Sequence, residues 1–295
     1  MALTPVCYFL VFALGLCVGS FLNVCIYRMP REMSLARPGS HCPFCNEPIA
    51  WYDNIPVLSW LSLGGLCRRC GVLISPRYLF VELLTGAVFV WIYGAHRAAA
   101  PDAALAHLST FGAYVALASA LIAASFVDIE RMVIPDEVSV GGMYVGPILC
   151  AIFPGIIEHD AFLTGWLLRV TGASGSEHLA GAVASVLGMG VGAAVIHAAG
   201  VFGKTLFRKE AMGFGDVKLM GMTGAFIGWQ GALLAFFLAC IFGAVIGVAL
   251  LVRRRDTHIP FGPYLAAGTL AVMVHKHAVL DALWNFPDVI RSWFA

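Results

Sequence analysis

Charge is scarce in this chain. Asp, Glu, Lys and Arg make up 12% of its 295 residues, against roughly 25% in a soluble domain, while hydrophobic residues reach 60%. Too little polar surface remains to cover a water-soluble fold, and a mean hydropathy of +0.86 agrees. The 18 Lys and Arg nearly balance the 17 Asp and Glu, so there is no basic excess to attract nucleic acid. No Lys or Arg precedes the first apolar run, which therefore lacks the basic start of a secretory signal and reads as a retained span. A glycine-rich strand-to-helix fingerprint of a soluble nucleotide-binding domain is missing, as are internal repeats and low-complexity tails.

What remains is a series of apolar runs. Crossing a bilayer takes about 20 apolar residues in a helix. Stretches near 5–27, 78–96, 107–127, 135–155, 178–202 and 261–280 qualify, and 217–252 is too long for one ordinary span. Splitting it at Gly228-Trp229-Gln230-Gly231, a glycine-rich, interfacial tetrad, gives eight spans. With an outside N-terminus, one face then collects fourteen Lys and Arg, from Arg28 to Arg255, while the other keeps Arg97, Arg169, Lys276 and Arg291. That bias marks the first face as cytoplasmic. The expected fold is an all-α polytopic membrane protein of about eight transmembrane helices, with a small zinc-stapled cytoplasmic loop domain between helices 1 and 2. Its parts are 1–27, the first span; 28–77, the loop domain; and 78–295, the transmembrane core. GxxxG pairs at Gly15/Gly19, Gly188/Gly192 and Gly243/Gly247 would let helix backbones approach closely.

Five of the nine cysteines lie in apolar runs, where burial is their ordinary role; the other four share the loop. They form two CxxC knuckles, Cys42/Cys45 and Cys67/Cys70. A two-residue spacer lets both thiolates of a knuckle reach one ion at about 2.3 Å, and two knuckles close a tetrahedron with no open position, as in a structural zinc site. Iron in a tetrathiolate and a redox dithiol pair are the alternatives. His41, beside a complete thiolate set, is not counted as a ligand. Arg68 and Arg69 are placed to screen the negative charge of four thiolates.

Two aspartates lie where spans meet the surface. Asp128 ends the third span, followed by Glu130 and Asp136; Asp216 opens a later one within Gly213-Phe214-Gly215-Asp216-Val217-Lys218. Both fall on the cytoplasmic side, so the fold can bring them together. Paired carboxylates cannot both ionise easily: one holds a proton and polarises a peptide carbonyl while the other takes a proton from the attacking water. This is aspartic-protease chemistry. Gly213 and Gly215 would permit close backbone approach and unusual dihedrals, Lys218 is an electrostatic neighbour, and Asp136, after Pro135, is placed to cap the next helix. The opposing interpretation is that each aspartate is a solvated interface charge.

Taken together, the chain resembles the type IV prepilin leader peptidases. The resemblance rests on Gly19-Ser20-Phe21-Leu22-Asn23 continuing to Arg28, the paired CxxC knuckles, Asn54-Ile55-Pro56-Val57-Leu58-Ser59-Trp60 and Ile74-Ser75-Pro76-Arg77-Tyr78 with Glu82. It extends through the Asp128–Asp136 segment, Gly213–Leu219 and Ile259-Pro260-Phe261-Gly262-Pro263-Tyr264. It implies a bifunctional enzyme of the bacterial inner membrane. Such an enzyme removes the basic leader of type IV prepilins or type II secretion pseudopilins at the cytoplasmic face, then methylates the new N-terminal amine with S-adenosylmethionine. It maps the catalytic pair onto Asp128 and Asp216, and the zinc ligands onto Cys42, Cys45, Cys67 and Cys70, in the loop that the family associates with methyl transfer. Glu130 stands where many relatives carry aspartate. Asn23, Arg77, Glu82 and Glu130 are candidates for a substrate or cofactor path, with interhelical hydrogen bonding or interface solvation as the alternative for each. Expected partners are the prepilin or pseudopilin and the lipid bilayer, not nucleic acid; the residues binding S-adenosylmethionine and the oligomeric state are not readable. The rival functions are another GxGD protease cutting within a span and, from a different class, a transporter or scaffold with a structural zinc loop.

Overall fold

The computed structural model describes residues 4–99, 104–157, 176–207, 212–252 and 260–293, with Gly165 and Arg169 as isolated helical positions. Its described elements are helices: α1 (Thr4–Arg28), the short α2 (Leu58–Ser62), α3 (Arg77–Ala99), α4 (Ala104–Arg131), α5 (Asp136–Ile152), α6 (Glu177–Phe207), α7 (Phe214–Val252) and α8 (Gly262–Trp293). Five of them, α1, α3, α4, α6 and α7, are long and apolar enough by themselves to cross a membrane. Large apolar side chains such as Phe9, Tyr144, Ile148 and Val248 point outward, as they would toward acyl chains. The protein is a multi-pass membrane protein.

Small residues set how the helices meet, because lipid supplies no hydrophobic drive between them. Gly15 of α1 lies against Gly86 of α3, and Gly19 against Glu82, so a Cβ on either would come within 2.6 or 2.7 Å of the opposing Cα. The descending order on one helix against the rising order on the other makes the pair antiparallel. Gly188 and Gly192 of α6 abut Gly224 and Met220 of α7 in the same sense. The third GxxxG pair behaves differently: Gly243 makes ordinary contact with Tyr264, and no described residue lies within 4 Å of where a Cβ on Gly247 would stand. Across α6 and α7, Ser185 Oγ donates to the Ala225 carbonyl at 2.6 Å.

The long helix α7 is two arms. At Gly228 the backbone takes φ 72° and ψ 174°, a region essentially reserved for glycine. A Cβ on Gly192 would touch both the Met220 carbonyl and Ala232 Cβ. On a continuous helix those two residues would be about 18 Å apart. The chain therefore folds back at the Gly-Trp-Gln-Gly tetrad, which bears out the split expected from hydropathy. The arm from Phe214 to Ile227 rises only about 21 Å, less than the roughly 30 Å hydrocarbon layer. It is enclosed by neighbouring helices, with Leu219, Met220, Met222 and Ala225 fully buried. Irregular backbone is tolerated at membrane depth where protein covers it. With the arms counted separately and the one-turn α2 set aside, eight helical rods are present among the described residues; α5 and the first arm of α7 are short, and α8 is kinked at His275, where φ is −128° and ψ 27°.

Segment 28–77 returns the chain from α1 to α3. Arg28, buried at the end of α1, donates to the carbonyls of Ser34, Leu35 and Gly39 and so ties the segment to the bundle. Positions 208–211 and 253–259, with the basic residues expected there, lie outside the described residues.

Candidate active site and metal centre

The GxGD turn is a local device. Gly213 precedes α7, and Asp216 sits in its first turn with its amide donating back to the Gly213 carbonyl at 3.2 Å. The Asp216 carboxylate reaches back in turn, Oδ2 accepting the Gly213 N–H at 3.1 Å. This is the acidic half of a capping box. Neither Gly213 nor Gly215 adopts a positive φ, so the expectation of unusual dihedrals is corrected. Gly215 is small because Ile134 packs against it, with the side chain 3.2 Å from where a Cβ would stand.

Asp128 lies near the end of α4, where Met132 takes a left-handed φ of 55° and returns its N–H to the Asp128 carbonyl at 2.8 Å. Its carboxylate is held from a remote part of the chain: Oδ2 accepts the Gly262 N–H at 3.0 Å, at the start of α8. A Cβ on Gly262 would stand 2.6 Å from that oxygen. In the residue string Gly262 is visible only as part of a motif, with no sign of this contact beyond the pairing of glycine with proline at a helix start.

The two acids share one end of the bundle. Ile134, in the link after Asp128, packs on Gly215 beside Asp216. Both are largely buried, at 6% and 8% exposure. Lys218 is turned away, paired with Asp136 at 2.7 Å and lying over the Phe214 ring. Asp136 is therefore not the cap of α5: Pro135 occupies that position and no side chain caps it. Glu130 is ion-paired with Arg77 at the start of α3, and Phe80 of α3 stacks edge-on against Phe126 of α4 at 6.0 Å. These contacts join the end of segment 28–77 to the helix bearing Asp128.

The four loop cysteines converge. Their Sγ atoms all lie within 4.8 Å of one another, with Cys42 and Cys70 3.8 Å apart. A regular tetrahedron with metal–sulfur bonds of about 2.3 Å has edges of about 3.8 Å, so the donor set suits a metal ion. Each knuckle is the same small hairpin. Cys42 N–H donates to Glu47 O and Asn46 N–H to Cys42 O; Cys67 N–H donates to Val72 O and Gly71 N–H to Cys67 O, all at 2.9–3.0 Å. Asn46 and Gly71 take the same left-handed conformation, φ 56° and 69°. The chain thus has a local repeat that sequence reading missed, since only the cysteine spacing survives in it. Backbone N–H groups of Cys70 and Arg69 aim at Cys67 and lower its thiol to about 7, while desolvation and the facing thiols push Cys70 up to about 11. His41 bonds the Gly39 carbonyl and stays outside the cluster. Arg68 is not the expected screen for the thiolates; its guanidinium grips Asp53 through two bonds of 2.7 and 2.6 Å and holds that carboxyl below its usual range.

Asn23 and Glu82 stand apart from the acid pair. Asn23 Nδ2 donates to the Tyr78 carbonyl at 3.0 Å, joining α1 to α3. Glu82 Oε2 accepts the Val57 N–H at 2.7 Å.

Two buried acids at one end of an apolar bundle and a four-cysteine cluster in the loop fit a membrane aspartyl peptidase, and comparison with known proteins agrees. Residues 13–96 match the bacterial peptidase A24 N-terminal domain and residues 115–248 match the type IV leader peptidase family. The chain belongs to the type IV leader peptidase family. It is 37% identical over 246 residues to a prepilin leader peptidase/N-methyltransferase of Myxococcus xanthus (strain DK1622), covering 81% of this chain and 62% of that one. It is 36% identical to the protein of the same description from Aeromonas hydrophila, covering 98% and 94%, and 33% identical to that from Stutzerimonas stutzeri, covering 88% of each. No solved structure gives a significant match.

Proposed function

We propose that this protein removes the leader peptide of type IV prepilins or type II secretion pseudopilins with Asp128 and Asp216, then N-methylates the exposed amine. The observation that carries the proposal is that two buried acids at one end of an apolar bundle are each anchored through Oδ2 by a single glycine N–H. Anchoring fixes the direction of both carboxyl groups and leaves Oδ1 of each for a shared proton and a water. One acid keeps its proton and donates to the scissile carbonyl; the other takes a proton from the water as oxygen attacks carbon. Collapse of the tetrahedral intermediate breaks the C–N bond as the amine is protonated. Enclosure by packed helices keeps bulk water away and strengthens each charge interaction.

On this reading the chain divides as 1–27, first span; 28–77, zinc-binding loop domain; and 78–295, peptidase core. Cys42, Cys45, Cys67 and Cys70 hold a structural zinc ion, which organises the loop and takes no part in hydrolysis. S-adenosylmethionine, when bound, supplies the methyl group: the amine nitrogen gains it and loses a proton, leaving a neutral thioether. The distribution of Lys and Arg supports a cytoplasmic position, at a bacterial inner membrane, for the acids and the loop. There a basic leader meets the acids while the apolar helix behind it stays in lipid. The test is purified protein with a prepilin, comparing wild type with Asp128→Asn and Asp216→Asn. Each substitution is expected to abolish cleavage, and retained cleavage by either overturns the dyad.

A further inference from the structure

The described residues form a second recess, away from the acid pair, of about 410 Å³. One wall is the end of α1 and the start of α3; the facing wall is the knuckle pair with segment 51–60. Its volume is in the range of small-molecule and cofactor sites.

Its polar groups point to the kind of ligand. Glu82 is 7% exposed, and its side chain accepts from the Val57 N–H and the Ser20 hydroxyl, both neutral donors. Asn23 is 1% exposed, and its Oδ1 has no hydrogen-bond partner. A buried carboxylate is ordinarily matched by a cation, and a buried acceptor by a donor. The wall therefore presents acceptors to an occupant that brings N–H or O–H groups and positive charge. Trp60 and Tyr52 are among the lining residues, and aromatic rings attract cations; the Tyr52 ring already has the Arg68 guanidinium over it at 5.8 Å. Val57, whose N–H holds Glu82, takes φ 63° and ψ −53°, a positive-φ conformation rare for a β-branched residue, and such strain gathers at ligand clamps. Arg28 and Arg68, also on the lining, are already engaged by carbonyls and by Asp53; Arg69 lines it as well, on the knuckle side.

We propose that this recess binds S-adenosylmethionine, with Glu82 and Asn23 accepting from its donor groups and the knuckles closing it from the cytoplasmic side. The inference rests on the methyl-transfer reading above and adds the place and the residues. It also gives the metal a role in methylation without chemistry at the ion, since thiolate ligation builds one wall. The Arg77–Glu130 pair links the helix that carries Glu82 to the helix of Asp128.

The experiment uses the full, metal-loaded chain in detergent. Binding of labelled S-adenosylmethionine is measured by equilibrium dialysis for wild type, Glu82→Gln and Asn23→Ala, with zinc content and thermal transition recorded for each. Both variants are expected to keep their zinc and bind at least tenfold more weakly. Ultraviolet cross-linking of the same ligand to wild-type protein, read by peptide mapping, is expected to mark positions 20–27, 52–60 or 78–82. Unchanged affinity in both variants, or a label confined to α4, α7 or α8, overturns the assignment. Wild-type protein that binds no S-adenosylmethionine at all overturns instead the methyl-transfer reading on which it stands.

Discussion

Segment 28–77 and the helical bundle hold their functional side chains by opposite means. In the bundle the acids are surrounded by residues with almost no exposure, among them Val127 and Leu219, and glycines bring the backbones into contact. Between 29 and 76 only Cys42, Ser59 and Gly65 are buried, while Phe44, Trp51 and Leu73 are exposed. A segment of that size without a core needs another source of order. Here it is two knuckles with matching backbone bonds around four thiolates, and an arginine at the end of α1. One region is kept in shape by packing, the other by backbone hydrogen bonds around a four-cysteine cluster suited to a metal ion.

The sharpest way to test the contrast is to attack each region on its own terms. Asp128→Asn or Asp216→Asn should lower prepilin cleavage by about 10²–10⁴-fold, read in a single-turnover assay, while leaving zinc content unchanged. Chelating the metal, or replacing Cys42 and Cys67 by serine, should open positions 28–77 to limited proteolysis and end methyl transfer, while the main thermal transition of the bundle stays in place. If the bundle melts with the module, the two regions are not separable. Gly262→Ala places a methyl group where the Asp128 carboxylate sits, and cleavage should fall by about 10²-fold with the fold intact by circular dichroism. Gly188→Val forces α6 off the Gly224 carbonyl and should cost about 1–3 kcal/mol of stability, seen as a lower thermal transition with zinc retained.

Local features of both regions could be read from residue order. The spans follow from hydropathy, the reversal at Gly228 from a tetrad unlike its surroundings, the knuckles from cysteine spacing and the Asp216 turn from glycine spacing. Each has its cause within a few residues. What escaped has its cause elsewhere in the chain: the Gly262 N–H on Asp128 spans 134 positions, the Lys218–Asp136 pair 82, and the Arg77–Glu130 pair 53. Asn23 and Glu82 could be named as polar residues in apolar runs, but that they share a recess with Val57 depends on how segment 51–60 lies across two helices. Asp136 misled because a carboxylate after proline suits a cap, and only the neighbouring helix reveals a stronger partner in Lys218.

The enclosed first arm of α7 fixes the direction from which a substrate can come. Neighbouring rods sheathe that post from Leu219 to Gly228, so on the proposed reading no polypeptide in the bilayer reaches its acid by sliding sideways past that stretch. Approach is restricted to the tip, where Ile129, Met132, Val133 and Phe214 form an exposed greasy collar. A bond deep inside a transmembrane segment is out of reach of such a site, whereas one just beyond the segment's end is not.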